Sequence, residues 1–324
     1  MKKQEKSIAN KIFIYSLCIL LSVYALSIIL ALGWGFLTSF KNPDEFGSNV
    51  NNWFGLPTLD STKRHNSIAQ ILELKNYTSI FKNYPQVEKL CKSSYYARGT
   101  AAGEPIVKQA AGGFPMVIVN TFVYTVVGSF LHAFIPAITA YAVTKFSNPV
   151  GKVMIGAALF AMTTPIVGNQ ASMLTMLQNT RLYDTFWGYL FQKATFGGMY
   201  FFVFMAFYES LPDSFSEAAE IDGASYFSIL MTIIIPLSMK MISTVLLIQF
   251  IHGWNDYQTA YLYMPSHPTL AYVIWYLTTT KVSKDVKMPM QLAATMTLAM
   301  PILLAFIILK DKLMGNITMG GLKQ

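Results

Sequence analysis

The sequence predicts an all-α integral membrane protein with six transmembrane helices and a cytoplasmic helix-turn-helix between two of them. Three observations lead there. Of 324 residues, 53% are hydrophobic and 12% charged, with a mean hydropathy of +0.42, which is more apolar than a soluble domain of this length needs for its core. Six apolar stretches reach the roughly 20 residues that a helix needs to cross a bilayer. Three carboxylates crowd into one stretch, Ser216-Glu-Ala-Ala-Glu-Ile-Asp-Gly-Ala-Ser225, in a chain that otherwise uses charge sparingly.

The predicted spans are 13–38, 116–142, 153–175, 187–210, 237–260 and 289–310. The first has no charge from Phe13 to Leu37 and is too long for a signal-peptide core. The fourth carries Lys193 in its first two turns, where the long side chain is expected to snorkel to the outer headgroups. Lys2, Lys3, Lys6 and Lys11 flank the first span, and Lys310, Lys312 and Lys323 follow the last. By the positive-inside rule both termini are cytoplasmic, an arrangement that six crossings allow. Lys281, Lys284 and Lys287 then lie in an outer loop, against the rule.

Four soluble or core regions result: a cytoplasmic N-terminus at 1–12, an extracytoplasmic loop at 39–115, a core domain at 116–310 and a cytoplasmic tail at 311–324. The outer loop mixes turn formers with a short amphipathic pattern from Ile68 to Phe81. Its Cys91 cannot pair with Cys18, which lies inside the first span, because a disulfide needs alpha carbons within about 7 Å.

A search for chemistry is mostly negative. The formal charge of +8 is scattered over loops and helix ends, which excludes a nucleic-acid surface and suits lipid headgroups. No G-x-x-x-x-G-K-[ST] loop is present, so the chain hydrolyses no nucleotide itself, and no Cys or His pair has metal-ligand spacing. His132 and His252 fall in apolar segments, where a path-lining role and a packing role are equally open.

The acidic stretch is the sharpest feature. Ser214 and Glu217 have capping-box spacing, Gly223 suits the left-handed residue beyond a helix end, and Pro236 is expected to open the next membrane helix. The loop of about 211–236 therefore reads as a compact helix-turn-helix exposing Glu217, Glu220 and Asp222, with Ala218 and Ala219 leaving clearance for another surface. The alternative is a solvated loop whose acids merely keep it wet.

The pattern Glu217-Ala-Ala219, Gly223, then Ile233 to Leu237, resembles the EAA signature of permease subunits of ATP-binding-cassette importers. Asn120-Thr121, Ala140 to Phe146, Trp254-Asn-Asp256, Gln291 to Ala294 with Pro301, and the tail from Gly315 to Lys323 occur in the order seen in the MalG-like, carbohydrate branch. The likeness covers 11–40 and 116–324, whereas 85–113 resembles an insertion and the tail has Met-Gly-Gly-Leu where the branch has an Ala-Val type sequence.

The resemblance implies a bacterial plasma (inner) membrane subunit of a sugar importer that works by alternating access. It implies as partners a second permease in a heterodimer, two ATP-binding subunits and an extracytoplasmic solute-binding protein, with ATP and Mg held by the ATPases and no cofactor in this chain. It makes Glu217, Ala218, Ala219, Asp222, Gly223 and Pro236 the ATPase-coupling loop, with Glu217 the expected contact. Gly320, Gly321 and Lys323 become a second ATPase contact, with a frayed tail as the other reading. Asn120, Trp254, Asn255 and Asp256 become candidates for the substrate path or for contact with the binding protein. For Trp254 the alternative is an interfacial aromatic belt, and for Asn120 a tie to a neighbouring helix. A non-sugar solute, or a stand-alone channel or ion-coupled carrier, remain the competing functions.

Overall fold

A computed structural model describes residues 8–48, 73–78, 113–146, 149–164, 168–279 and 286–314. Every regular element among them is helical. The chain divides into two compact units, one formed by Met1–Asn83 with Leu277–Met300 and the other by Tyr84–Tyr276 with Pro301–Gln324.

In the first unit, α1 (Ile8–Thr38) is an apolar rod whose side chains are mostly exposed. Its 31 residues span about 46 Å, and the hydroxyls of Ser16 and Ser27 donate back to the carbonyls of Phe13 and Tyr24, which removes their cost in lipid. Asn42 Oδ1 accepts from Asp44 N at 2.9 Å and starts α2 (Pro43–Ser48). A helical turn at 75–78 ties back to the end of α1. Buried Asn76 donates to the carbonyls of Ser39 (2.8 Å) and Lys41 (2.9 Å), and Tyr77 meets the Ser39 hydroxyl at 2.7 Å. Of the amphipathic pattern expected over Ile68 to Phe81, only this piece lies within the described residues, and Cys91 lies outside them.

The second unit is built on α3 (Gly113–Lys145). Its buried positions include Val117, Thr121, Thr125, Ser129, Ala133, Ala137 and Tyr141, which recur every four residues. Small and polar side chains face the protein while Val119, Phe122, Val126 and Phe130 face out, the distribution expected of a membrane helix whose neighbours approach closely. Thr121, Ser129, Thr139 and Thr144 satisfy their hydroxyls on carbonyls four residues back.

Two predicted spans are broken. The stretch 153–175 is not one helix: α4 (Pro149–Thr163) stops, and α5 (Asn169–Asn179) starts after Gly168, at φ +78°. The sequence has a proline at 165, and a proline removes a donor and disfavours helical geometry at the residue before it. The stretch 187–210 likewise divides into α6 (Phe186–Lys193) and α7 (Met199–Glu209). Gly198 between them has φ 118° and ψ −176°, a conformation essentially reserved for glycine.

After α8 (Ser214–Ile221), one continuous helical run extends from Tyr226 to Trp254. It comprises α9 (Tyr226–Ile229), a π turn at Leu230–Ile234, and α10 (Ile235–Trp254). Then come α11 (Gln258–Tyr263), the buried α12 (Leu270–Thr279) and α13 (Met288–Met314). Among the described residues four helices are long and apolar enough to cross a membrane: Asn10–Thr38, Gly113–Lys145, Tyr226–Trp254 and Met288–Ile307. These correspond to the first, second, fifth and sixth predicted spans.

Candidate functional site

The acidic loop begins where α7 ends. Leu211 N bonds Tyr208 O, and the chain enters α8 through Pro212 and Asp213. Asp213 already has helical dihedrals, with φ −62° and ψ −24°, and no side chain caps the helix. The capping box expected of Ser214 and Glu217 is therefore not made, because Ser214 lies inside the first turn rather than before it. Glu217 keeps its place in that turn, where a carboxylate complements the positive end of the helix dipole.

The far end of α8 is closed by Gly223 at φ +80°. Gly223 N donates to Glu220 O at 3.0 Å and Ala224 N to Ala219 O at 2.9 Å, the paired bonds of a Schellman motif. A Cβ on Gly223 would meet nothing within 4 Å, so the backbone conformation, not crowding, selects glycine here.

The next helix begins at Ser225, whose hydroxyl accepts from Ser228 N at 3.2 Å. Pro236 is the second residue of α10, as expected of a helix-opening proline, but α10 continues the run from Tyr226 without a break. The proline lies ten residues into that run, where the π turn has just widened the backbone. A proline lacks the donor and clashes with the carbonyl four residues back, and a π turn relieves both within a continuous helix.

One face of the loop packs inward: Ser216 is buried, and Leu211, Ala219 and Ala224 pack on the cluster holding Tyr141, Tyr208 and Ile229. Ala219 is half-buried against the protein's own core, whereas Ala218 is exposed. The other face presents Glu217, Glu220 and Asp222 beside exposed Phe215, Ile221, Tyr226 and Phe227. Ile221, at 86% exposure, is the most open apolar side chain of the group.

Two contacts that the sequence did not flag clamp this loop to α3. Lys145 Nζ lies 3.4 Å from Asp213 Oδ1, and the Phe146 ring meets Tyr226 edge to face at 5.0 Å. The entry to α8 and the start of the helix that follows it are thereby both tied to the C-terminal end of α3. Lys145 ends an apolar stretch in the sequence, and nothing in its spacing points to Asp213.

The residues expected along a substrate path are all engaged within the second unit. Asn120 Nδ2 donates to Pro268 O at 3.2 Å, and the adjacent Thr121 Oγ1 accepts from Leu270 N at 2.8 Å, so α3 caps the start of α12. Trp254, 3% exposed, packs against Phe122 and Phe250, a buried rather than a belt position. Asn255 Nδ2 donates to Ile251 O. Asp256 accepts from Thr259 N and its hydroxyl, and pairs with Lys193 at 3.1 Å. Lys193 therefore turns inward to a carboxylate instead of snorkelling to headgroups. Nearby, Asp184 accepts from the Ser266 backbone N–H and hydroxyl and lies 3.5 Å from His267, joining the α5–α6 turn to the turn before α12. Gly320, Gly321 and Lys323 lie outside the described residues.

Comparison with known proteins places these features in a family. Residues 133–311 match the model of the binding-protein-dependent transport system inner membrane component, and the chain belongs to that family. It is thus a multi-pass membrane protein of the permease type. Similar proteins include the sn-glycerol-3-phosphate transport system permease protein UgpE of Yersinia pestis bv. Antiqua, 28% identical over 44% of this chain and 51% of that one. The polygalacturonan/rhamnogalacturonan transport system permease protein YtcP of Bacillus subtilis is 26% identical over 47% and 51%. The trehalose transport system permease protein SugB of Mycobacterium tuberculosis is 23% identical over 65% and 77%. The chain thus spans about half the length of the first two of these relatives. Among solved structures, a bacterial ABC transporter involved in the import of the acidic polysaccharide alginate superimposes with TM-score 0.66 at 19% identity. That likeness covers 94% of this chain and 98% of the other, and it shows the shared fold.

Proposed function

From membership of that family, we propose that this chain is one of two transmembrane subunits of an ATP-binding-cassette importer that moves a sugar, of the oligosaccharide class, into the cell by alternating access. The observation that carries the reading is the loop of 211–236. It has a rigid inward face, an exposed face of acid and apolar side chains, and a Schellman-closed turn at Gly223. Such a unit is made to be gripped by another protein. Glu217 meets a basic residue of an ATP-binding subunit, and Phe215, Ile221 and Phe227 give that contact an apolar floor.

In this reading the chain holds no ATPase site. ATP and Mg are bound by two partner ATPases, and an extracytoplasmic binding protein delivers the solute to this chain and a second permease. The chain crosses the membrane six times with both termini cytoplasmic. Lys145 and Phe146 pass movement of the docked loop directly into α3. The names of the relatives, which refer to glycerol phosphate, trehalose and polygalacturonan, support a carbohydrate or carbohydrate-like solute. Co-purification with the candidate partners, followed by a solute screen on the binding protein, tests the proposal. Retention of two ATPases and a sugar ligand is expected, and a purified chain that transports alone would refute it.

A further inference from the structure

We propose that α6, Phe186–Lys193, is an interfacial helix lying in the plane of the membrane–water boundary, anchored in lipid by Trp187 and Phe191, rather than the opening turns of a transmembrane span. The helix is inverted relative to a surface helix in water. Its outward side carries Phe186, Trp187 and Phe191, with Trp187 at 70% and Phe191 at 56% exposure. Its inward side carries Gly188, Tyr189 and the ion-paired Lys193. Trp187 and Phe191 are four residues apart and share one face.

The helix cannot roll to hide these rings. A Cβ on Gly188 would overlap the carbonyl of Leu182, and one on Gly128 of α3 would overlap the Tyr189 hydroxyl. That hydroxyl donates to Tyr124 O, and Lys193 Nζ sits 5.7 Å over the Tyr189 ring. The aromatic face is therefore fixed toward the surroundings, and those surroundings must be apolar for it to be stable.

Both ends of α6 are polar. Arg181, Asp184 and the capping Thr185 precede it, and the Lys193–Asp256 pair ends it. Standing upright, an eight-residue helix would carry one of these charged ends about 12 Å into hydrocarbon. Lying flat, it keeps both at the boundary. Asp256 lies two residues beyond the end of the run Tyr226–Trp254, which sets the level of α6 at the end of that membrane helix. An indole fits this level, because its ring is amphipathic and prefers the headgroup region. The occupant of the exposed face is thus the bilayer interface.

Tryptophan quenching tests the assignment. The full chain is placed in nanodiscs whose lipids carry bromine either near the glycerol end or near the methyl end of the chains, and wild type is compared with Trp187→Phe. The fluorescence lost in the variant reports Trp187. The expected result is stronger quenching by the shallow bromines, reproduced by Phe191→Trp in the Trp187→Phe background. Stronger quenching by the deep bromines would restore the transmembrane reading. No quenching by either would overturn the proposal, as would quenching that disappears when the chain is assembled with a second permease.

Discussion

Replacing Gly223 separates conformation from crowding at the turn that closes α8, the proposed docking loop. Its φ of +80° costs an L-residue about 1–2 kcal/mol, and no atom stands within 4 Å of the place that the first carbon of a side chain would take. Alanine should therefore cost only that conformational term, reducing the docking-competent population by roughly 5- to 30-fold. Asparagine, which visits the left-handed region more readily, should cost less. Proline should cost most, because it fixes φ near −65° and deletes the N–H that bonds Glu220 O at 3.0 Å. The assay is retention of ATP-binding subunits by the purified membrane complex, together with its solute-stimulated ATP hydrolysis. The order Gly, Asn, Ala, Pro is expected. An alanine variant as poor as proline, or better than asparagine, would refute the argument that dihedral preference selects glycine here.

Other perturbations follow the same logic. Lys145→Asp or Asp213→Lys alone should weaken coupling between ATP hydrolysis and uptake by the modest amount of an exposed pair, about 0.2–1 kcal/mol. The double reversal should recover it, and a double variant worse than either single would remove the clamp. Lys193→Met should lower the thermal stability of the purified chain by about 2 kcal/mol or more, because Asp256, with 24% of its side chain exposed, would lose its counter-ion. Replacing both residues by apolar ones should restore most of that stability, as a calorimetric scan would show. Thr121→Val should leave Leu270 N without its acceptor, costing about 1 kcal/mol and raising amide exchange at the start of α12.

How much of this was legible in the sequence depended on the kind of signal. The first, second, fifth and sixth spans were readable because their apolar runs are long and uninterrupted. The breaks within the third and fourth were not legible because hydropathy is an average. It passes smoothly over Pro165 and Gly168, and over Gly197 and Gly198, although each pair is a turn signal and the helices stop around it. The acidic loop was legible through its pattern, and Gly223 holds the predicted left-handed turn. The start of α8 was misassigned because a capping residue is defined by its own dihedrals, and Asp213, already helical, pre-empts Ser214. That Ala219 is half-buried against the core while Ala218 is exposed was not legible in the pattern. The side chains of Lys145 with Asp213, and of Lys193 with Asp256, are 68 and 63 residues apart in sequence. Only folding brings such pairs together.

ATP-driven uptake by the reconstituted complex tests the central claim most directly. The chain, a second permease, two ATP-binding subunits and the binding protein are placed in liposomes, and entry of a labelled oligosaccharide is followed for wild type and Glu217→Ala. The account predicts uptake that requires ATP and every subunit, and its loss in Glu217→Ala although the variant remains in the membrane. Full uptake by Glu217→Ala, or uptake by the chain without ATPases, would contradict it.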